Sequence, residues 1–210
     1  MKGVFSKLSS FKDFSLNDAL NYDRWYRSIE GEFVLKKELE LILSELDERG
    51  SLLEVGCGTG VFMEELRRHG FKVVGLDISE PMIEVARRKG LTVVLGDGSR
   101  LPFKDHSFDY VLFITSLEFM RDPESALAEA RRVAKRKVLL GLLGKVGPIY
   151  WVRKLTGEKL ALSGRYFKRR CLEKMMERKA SARGVLLFTP YFSIKIPFAI
   201  GDFFLLTFKV

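Results

Sequence analysis

Glutamine is absent from this chain of 210 residues, and asparagine occurs only at Asn17 and Asn21. Side chains that deamidate on heating are therefore scarce, while 30% of residues are charged. That bias is the one expected of a protein adapted to high temperature through ion-pair networks. Cysteine is equally sparse: Cys57 and Cys171 stand far apart with no C-x-x-C pair. The pattern argues against a disulfide framework and a zinc site, so no metal is expected and a cytoplasmic location is. No apolar run approaches the roughly 18 residues needed to cross a bilayer, and the basic stretch from Met1 to Phe14 lacks the apolar centre of a signal peptide.

The charge that is present sums to +9, with an isoelectric point near 9.6. A basic excess concentrates polyanions, which makes nucleic acid a candidate partner. The thermal bias explains the same excess and is preferred. The length suits one domain over 1–210, with an N-terminal cap over 1–30 and a variable insertion over 144–180 on the substrate side. Nothing in the sequence fixes an oligomeric state.

Periodicity orders the chain. Met1 to Leu16 is a weakly patterned arm. Asn17 to Arg27 reads as a helix capped by Asn17, and Glu32 to Glu48 as a helix with Leu35, Leu39, Ile42, Leu43 and Leu46 on one stripe. Strands are expected at Ser51–Val55, Lys72–Leu76, Leu91–Leu95, Phe108–Ile114 and Lys137–Leu142, alternating with helices at Thr59–His69, Glu80–Lys89 and from Asp122 onward. Lys168 to Ala180 reads as a helix, and Val185–Ile196 with Phe203–Val210 as a closing antiparallel pair. Single helices between strands imply right-handed crossovers. The fold class is therefore α/β, a doubly wound, mainly parallel, Rossmann-like sheet of seven strands with an antiparallel C-terminal strand.

Chemistry concentrates at Leu53 to Gly60, Leu-Glu-Val-Gly-Cys-Gly-Thr-Gly. A strand end, a glycine turn and a helix start aim free amides and a helix dipole at a ligand. The spacing G-x-G-x-G differs from the dinucleotide pattern G-x-G-x-x-G, and Glu54 before it would repel a phosphate but attract a cation. Cys57 lacks an adjacent base, so its place among glycines speaks for its backbone rather than its thiol. Asp77 follows Gly56 by 21 residues, at a strand tip where a carboxylate can accept ribose hydroxyls; a helix N-terminal acid is its other reading. Asp97, in Gly96-Asp97-Gly98, can meet an adenine amine or be a turn residue.

These stretches, with Gly75-Leu-Asp-Ile-Ser79, Leu101-Pro-Phe103 and Phe108-Asp-Tyr-Val111, resemble the ordered motifs of class I S-adenosylmethionine-dependent methyltransferases, most nearly the small-molecule type that includes quinone-biosynthesis enzymes. The resemblance implies S-adenosylmethionine as cofactor. It implies that Gly56, Gly58 and Gly60 hold the methionine part with Glu54 beneath, that Asp77 takes the ribose, Ile78 one adenine face, and Asp97 with Gly98 the adenine edge. Tyr22 and Trp25 would fold over the cofactor, and Thr115, Ser116 and Leu117 would face the methyl group. Two departures stand out: Arg132 to Lys137 lacks the usual Pro-Gly-Gly turn, and Thr115 to Phe119 is not the tetrad of base N-methylation.

The reaction implied is methyl transfer to a small-molecule acceptor by direct displacement, needing no universal catalytic residue. A base is required only for a weakly acidic acceptor, the candidates being His106, Glu118, Tyr26 and Tyr166; His69 reads as a helix-end residue. The aromatic and basic residues Tyr150, Trp151, Arg153, Lys154 and Arg165 to Arg170 suit an acceptor with an apolar body and an anionic group, or are core with a solvated rim. An RNA or protein methyltransferase, a non-catalytic cofactor-binding protein and an NAD-dependent oxidoreductase remain alternatives.

Overall fold

The computed structural model describes residues 15–145, 147, 151, 164–189, 192–197 and 201–210; the arm before Ser15 and most of 146–163 lie outside them. The first helix, α1 (Leu16–Trp25), starts two residues earlier in its cap than expected. Ser15 Oγ accepts from the Asp18 amide at 3.2 Å and Asp18 accepts from the Ser15 amide at 3.0 Å. This reciprocal box satisfies two orphan donors, so Ser15 rather than Asn17 is the cap. Helix α2 (Ile29–Leu43) begins at the Ser28 cap and ends where Ser44 Oγ donates to the Leu41 carbonyl at 2.7 Å, short of Glu48. Between α1 and α2 the chain turns so tightly that a Cβ on Gly31 would stand 2.0 Å from the Trp25 carbonyl oxygen.

Alternation then follows as β1 (Ser51–Val55), α3 (Val61–Arg68), β2 (Lys72–Asp77), α4 (Glu80–Arg88), β3 (Val93–Leu95), β4 (Phe108–Ile114), a 3-10 turn (Leu117–Phe119), α5 (Pro123–Val133) and β5 (Ala134–Leu143). Helix α5 runs directly into β5 at Ala134, so the missing Pro-Gly-Gly turn is no gap: the strand starts where the helix stops. The remainder is α6 (Arg169–Met175), β6 (Ala180–Thr189), β7 (Phe192–Ile196) and β8 (Phe203–Lys209).

Among the described residues the strands form one sheet of eight, in the order β3-β2-β1-β4-β5-β8-β6-β7. Pairings among β1 to β5 are parallel, and β5·β8, β8·β6 and β6·β7 are antiparallel. The expected seven strands become eight because the run Val185–Ile196 belongs to two strands, β6 and β7, which pair antiparallel. The expected helix to Ala180 also stops early. Glu177 takes φ 52° and the Arg178 amide donates to the Glu173 carbonyl at 3.1 Å, a left-handed C-terminal turn that releases the chain into β6.

Both faces of the sheet are covered. Leu52, Tyr110 and Leu112 meet Ile42, Met63, Leu66 and Ile83 of α2, α3 and α4 on one side. Leu53, Val111, Phe113 and Val138 meet Leu127, Val133 and Leu172 of α5 and α6 on the other. At about 1.5–3 kcal/mol for each such side chain removed from water, these two layers dominate the stability. Crossovers change face between β1 and β4, and ligands of open α/β sheets bind outside the carboxyl ends at such a switch point.

Candidate cofactor site at the carboxyl edge

The switch point holds the glycine turn. Gly56 takes φ 77°, and its amide and that of Cys57 donate to the Leu76 carbonyl at 2.7 and 3.1 Å, bending the chain across the top of β2. A Cβ on Gly56 would lie 2.4 Å from Ser116 Cβ, while Ser116 Oγ donates to the Val55 carbonyl at 2.7 Å. The loop after β4 therefore rests directly on the turn after β1. Gly58 gives its amide to Asp77 Oδ2 at 2.8 Å, and Ser79 gives its amide to Asp77 Oδ1 at 2.8 Å. Gly60 faces elsewhere: a Cβ there would meet Leu91 Cδ1 at 2.2 Å, so the third glycine lets α3 pack against the end of α4. The Cys57 side chain turns inward beneath Gly75, and burial pushes its thiol well up, away from a nucleophile.

Acidic groups converge here. Glu54 is 2% exposed, its Oε2 has no hydrogen-bond partner among the described residues, and Thr59 Oγ1, fully buried, has none either. Burial first and the Asp77 carboxylate second raise the Glu54 carboxyl well above the usual range. Asp77 is raised too, by burial, with the amides of Ser79, Gly58 and Ile78 opposing. The Tyr22 ring lies 3.7 Å from where a Gly58 Cβ would stand. Burial, then the charges of Glu38, Glu54 and Asp77, raise its phenol, which donates to the Tyr26 hydroxyl at 3.4 Å. Trp25 packs edge-on against Tyr26 with centroids 4.8 Å apart.

Farther along the edge, Asp77 pairs in register with Leu95, so Ile78 and Leu95 adjoin across neighbouring strand ends, 41% and 45% exposed. Two apolar side chains held in solvent at adjoining strand ends suit the faces of a flat ring. Leu95 was not anticipated; its signal is an apolar residue ending β3 just before Gly96. Asp97 is exposed and accepts the Ser99 amide and hydroxyl at 2.9 Å each, a local turn. Gly98 is buried, and a Cβ there would lie 2.8 Å from Val55 Cγ1.

At the end of β4 Thr115 takes φ 44°, a left-handed backbone rare for a β-branched residue, and its amide donates to the Gly141 carbonyl at 2.7 Å. This turn puts Ser116 on Gly56. Leu117 corrects the expectation that it faces a ligand: the 3-10 turn carries its side chain, 0% exposed, into the apolar layer with Val55 and Leu127.

The base candidates separate. His106 precedes β4 and its Nδ1 faces the Ala134 carbonyl at 3.0 Å, so it lies at the amino edge. The seven residues of β4 put about 20 Å between it and the cradle. His69 caps α3, with Nδ1 on the Glu65 carbonyl at 2.8 Å. Tyr26 is buried against Phe62. Glu118, 3% exposed, accepts the Leu143 amide on Oε1 at 2.8 Å, its Oε2 has no partner among the described residues, and burial pushes its carboxyl up to about 7. Its carbonyl accepts the Arg165 amide at 2.9 Å, so it fastens the β4 loop to β5 and to the chain entering α6. Lys145 Nζ sits 4.0 Å from the Tyr166 ring centroid. Trp151 is exposed, and Tyr150, Arg153 and Lys154 lie outside the described residues.

Residues 53–141 match a protein-family model described as "Methyltransferase domain". An uncharacterised protein of Methanocaldococcus jannaschii is 36% identical over 141 residues, covering 65% of each chain. A ubiquinone biosynthesis O-methyltransferase of Hahella chejuensis is 36% identical over 143 residues, covering 62% of this chain and 57% of the relative. The chain thus spans less than two thirds of the length of either relative. A crystal structure from Thermotoga maritima, described as a SAM-dependent methyltransferase and possible histamine N-methyltransferase, superposes with a TM-score of 0.78 at 28% identity, over 92% of this chain and 97% of that one. The motif resemblance to S-adenosylmethionine-dependent methyltransferases is borne out by these matches.

Proposed function

We propose that this chain transfers a methyl group from S-adenosylmethionine to a small-molecule acceptor by direct displacement. One observation carries the reading: a buried Glu54 oxygen with no hydrogen-bond partner among the described residues, with the Asp77 carboxylate acting on it, beside a glycine turn. Burying a carboxylate oxygen without a partner costs several kcal/mol unless a cation arrives. The ammonium and sulfonium of this cofactor supply one, whereas a dinucleotide's pyrophosphate would be repelled.

In this reading Glu54 and the backbone of Gly56, Cys57, Gly58 and Gly60 hold the methionine part. Asp77, whose oxygens keep lone pairs beyond those given to backbone amides, takes the ribose hydroxyls. Ile78 and Leu95 flank the adenine, Asp97 and Gly98 meet its edge, and Tyr22 with Trp25 closes over the top. Thr115 and Ser116 border the methyl group. The bound cofactor supplies a methyl already activated by its sulfonium. The chain's own residues orient the two reactants and exclude water, and orientation alone is worth effective molarities of about 10⁵ M or more.

The acceptor side is assigned to the cap over 1–30 and the segment over 144–180, and the Hahella relative's name favours a quinone-like or other small acceptor. Cytoplasmic residence fits the two free thiols, Cys57 and Cys171. A second reading, docking on RNA, is favoured by the exposed Lys168, Arg170 and Lys174 around α6, which have no ion pair among the described residues. Incubation with methyl-labelled S-adenosylmethionine and metabolite extracts separates the two: label in a small molecule supports the proposal, and label only in RNA or protein replaces it.

A further inference from the structure

Lys89 follows the last turn of α4, far from the glycine turn in sequence, yet its ammonium joins three elements. Nζ contacts Asp23 Oδ1 of α1 and lies 2.9 Å from Glu64 Oε2 of α3. The Lys89 and Asp23 side chains are only 11% and 10% exposed, unlike the solvent-facing pairs Arg87–Glu80 and Arg88–Glu84 on the same helix. Exposed pairs of that kind contribute little, whereas removing one partner of a dehydrated pair leaves a stranded charge. Arg27 also reaches this junction, 3.1 Å from Asp23 but itself 68% exposed.

Asp23 adjoins Tyr22, whose ring lies against Gly58 in the cradle. Trp25 and Tyr26 fix the helix to the α1–α2 corner through Gly31 and Phe62. The Asp23 contact ties α1, the helix that carries Tyr22, to α4 and through Lys89 to α3. Without Lys89, Asp23 and Glu64 are two carboxylates facing each other across the junction, so the change replaces attraction by repulsion.

We propose that Lys89 is a positioning residue, the pin of a latch that holds α1 and the Tyr22 ring shut over the cofactor and so sets how fast the cofactor leaves. The assignment rests on the cofactor site proposed above. The Tyr22 ring packs on Gly58, so a ligand seated on the glycine turn beside that ring leaves when α1 lifts, and lifting α1 breaks the Lys89–Asp23 contact while sparing the sheet.

The test measures dissociation of S-adenosylhomocysteine by stopped flow, using Trp25 and Trp151 fluorescence, with calorimetric affinities for the full chain. Lys89→Met is expected to release the ligand about tenfold faster or more with a much smaller change in association rate. Lys89→Arg, which keeps the charge, should restore release to near the wild-type rate, and Asp23→Asn should match Lys89→Met. Should Lys89→Met lower the melting temperature, Glu64→Gln is compared: it removes the junction's other ion pair without freeing α1, so it should cost stability but leave release unchanged. Equal release rates for wild type and Lys89→Met, or equal acceleration in Glu64→Gln and Lys89→Met, would overturn the latch. Failure of the wild type to bind S-adenosylhomocysteine at all would instead overturn the cofactor site.

Discussion

The Gly58 amide donates to Asp77 Oδ2 at 2.8 Å, so the glycine turn after β1 and the carboxylate that ends β2 form one unit. Asp77→Ala leaves the Gly58 and Ser79 donors unpaired in a partly buried place, at about 1–3 kcal/mol each where water cannot replace the carboxylate. Asp77→Asn keeps one acceptor oxygen. Urea unfolding should rank the two with Asp77→Ala less stable. Calorimetry with S-adenosylhomocysteine should show both binding at least about tenfold more weakly, since each loses a charge-assisted acceptor.

Gly56 tests the contact between the β1 turn and the β4 loop. Gly56→Ala brings a methyl to 2.4 Å from Ser116 Cβ at φ 77°. Strain of about 1–2 kcal/mol is expected from φ alone, with more from the collision. Adding Ser116→Gly removes the collision and not the dihedral cost, so the double variant should recover part of the lost stability in urea titrations. No recovery would mean the two loops do not meet.

Thr115 stores strain at the same junction. Thr115→Gly removes the penalty of a β-branched residue at φ 44°, of order 1 kcal/mol, against which glycine's greater freedom in the unfolded chain works. The net effect on melting should be small, while methyl transfer should fall because Ser116 is less firmly held over Gly56.

Glu118 gives a pH dependence whose sign can be stated. Its folded carboxyl titrates at about 7 against 4.5 when free, so between those values the folded chain holds a proton that the unfolded chain has released. Stability must then fall as pH rises from about 4.5 to 7 and level off above, with a loss on the order of 3 kcal/mol from this group. Glu54 and Asp77, also raised, add slope of the same sign. Glu118→Gln, which keeps an acceptor for the Leu143 amide, should flatten the curve and be more stable than wild type at pH 8 though not at pH 4. A wild type equally stable across that range would contradict the burial of Glu118.

Much of this was legible in the residues. The alternation from β1 to β5 follows from apolar runs of strand length broken by Gly50, Gly70 and Gly90, because local signals and burial agree there. The split of Val185–Ile196 into β6 and β7 was not legible, because one apolar run reads equally as a long strand or as the two arms of a hairpin. The first helix depended on a choice between Ser15 and Asn17 that only the reciprocal bond with Asp18 decides. At the site, Glu54, Gly56, Gly58 and Asp77 could be read because their spacing is fixed by adjacent strands. Leu117 and His106 could not: which way a side chain leaves a 3-10 turn, and which edge of the sheet a loop occupies, depend on pairings far apart in sequence. Leu95 and Lys89 were missed for the same reason, since an exposed leucine and a helix-end lysine acquire meaning only beside Ile78 and Asp23.

The central claim is that the acidic cradle binds a cationic adenosine cofactor, and titration calorimetry with S-adenosylmethionine, S-adenosylhomocysteine and NAD tests it most directly. Micromolar binding of the first two, weakened at least about tenfold by Glu54→Gln, with no heat from NAD, is the predicted result. Binding of NAD with no response to either S-adenosyl compound would contradict it.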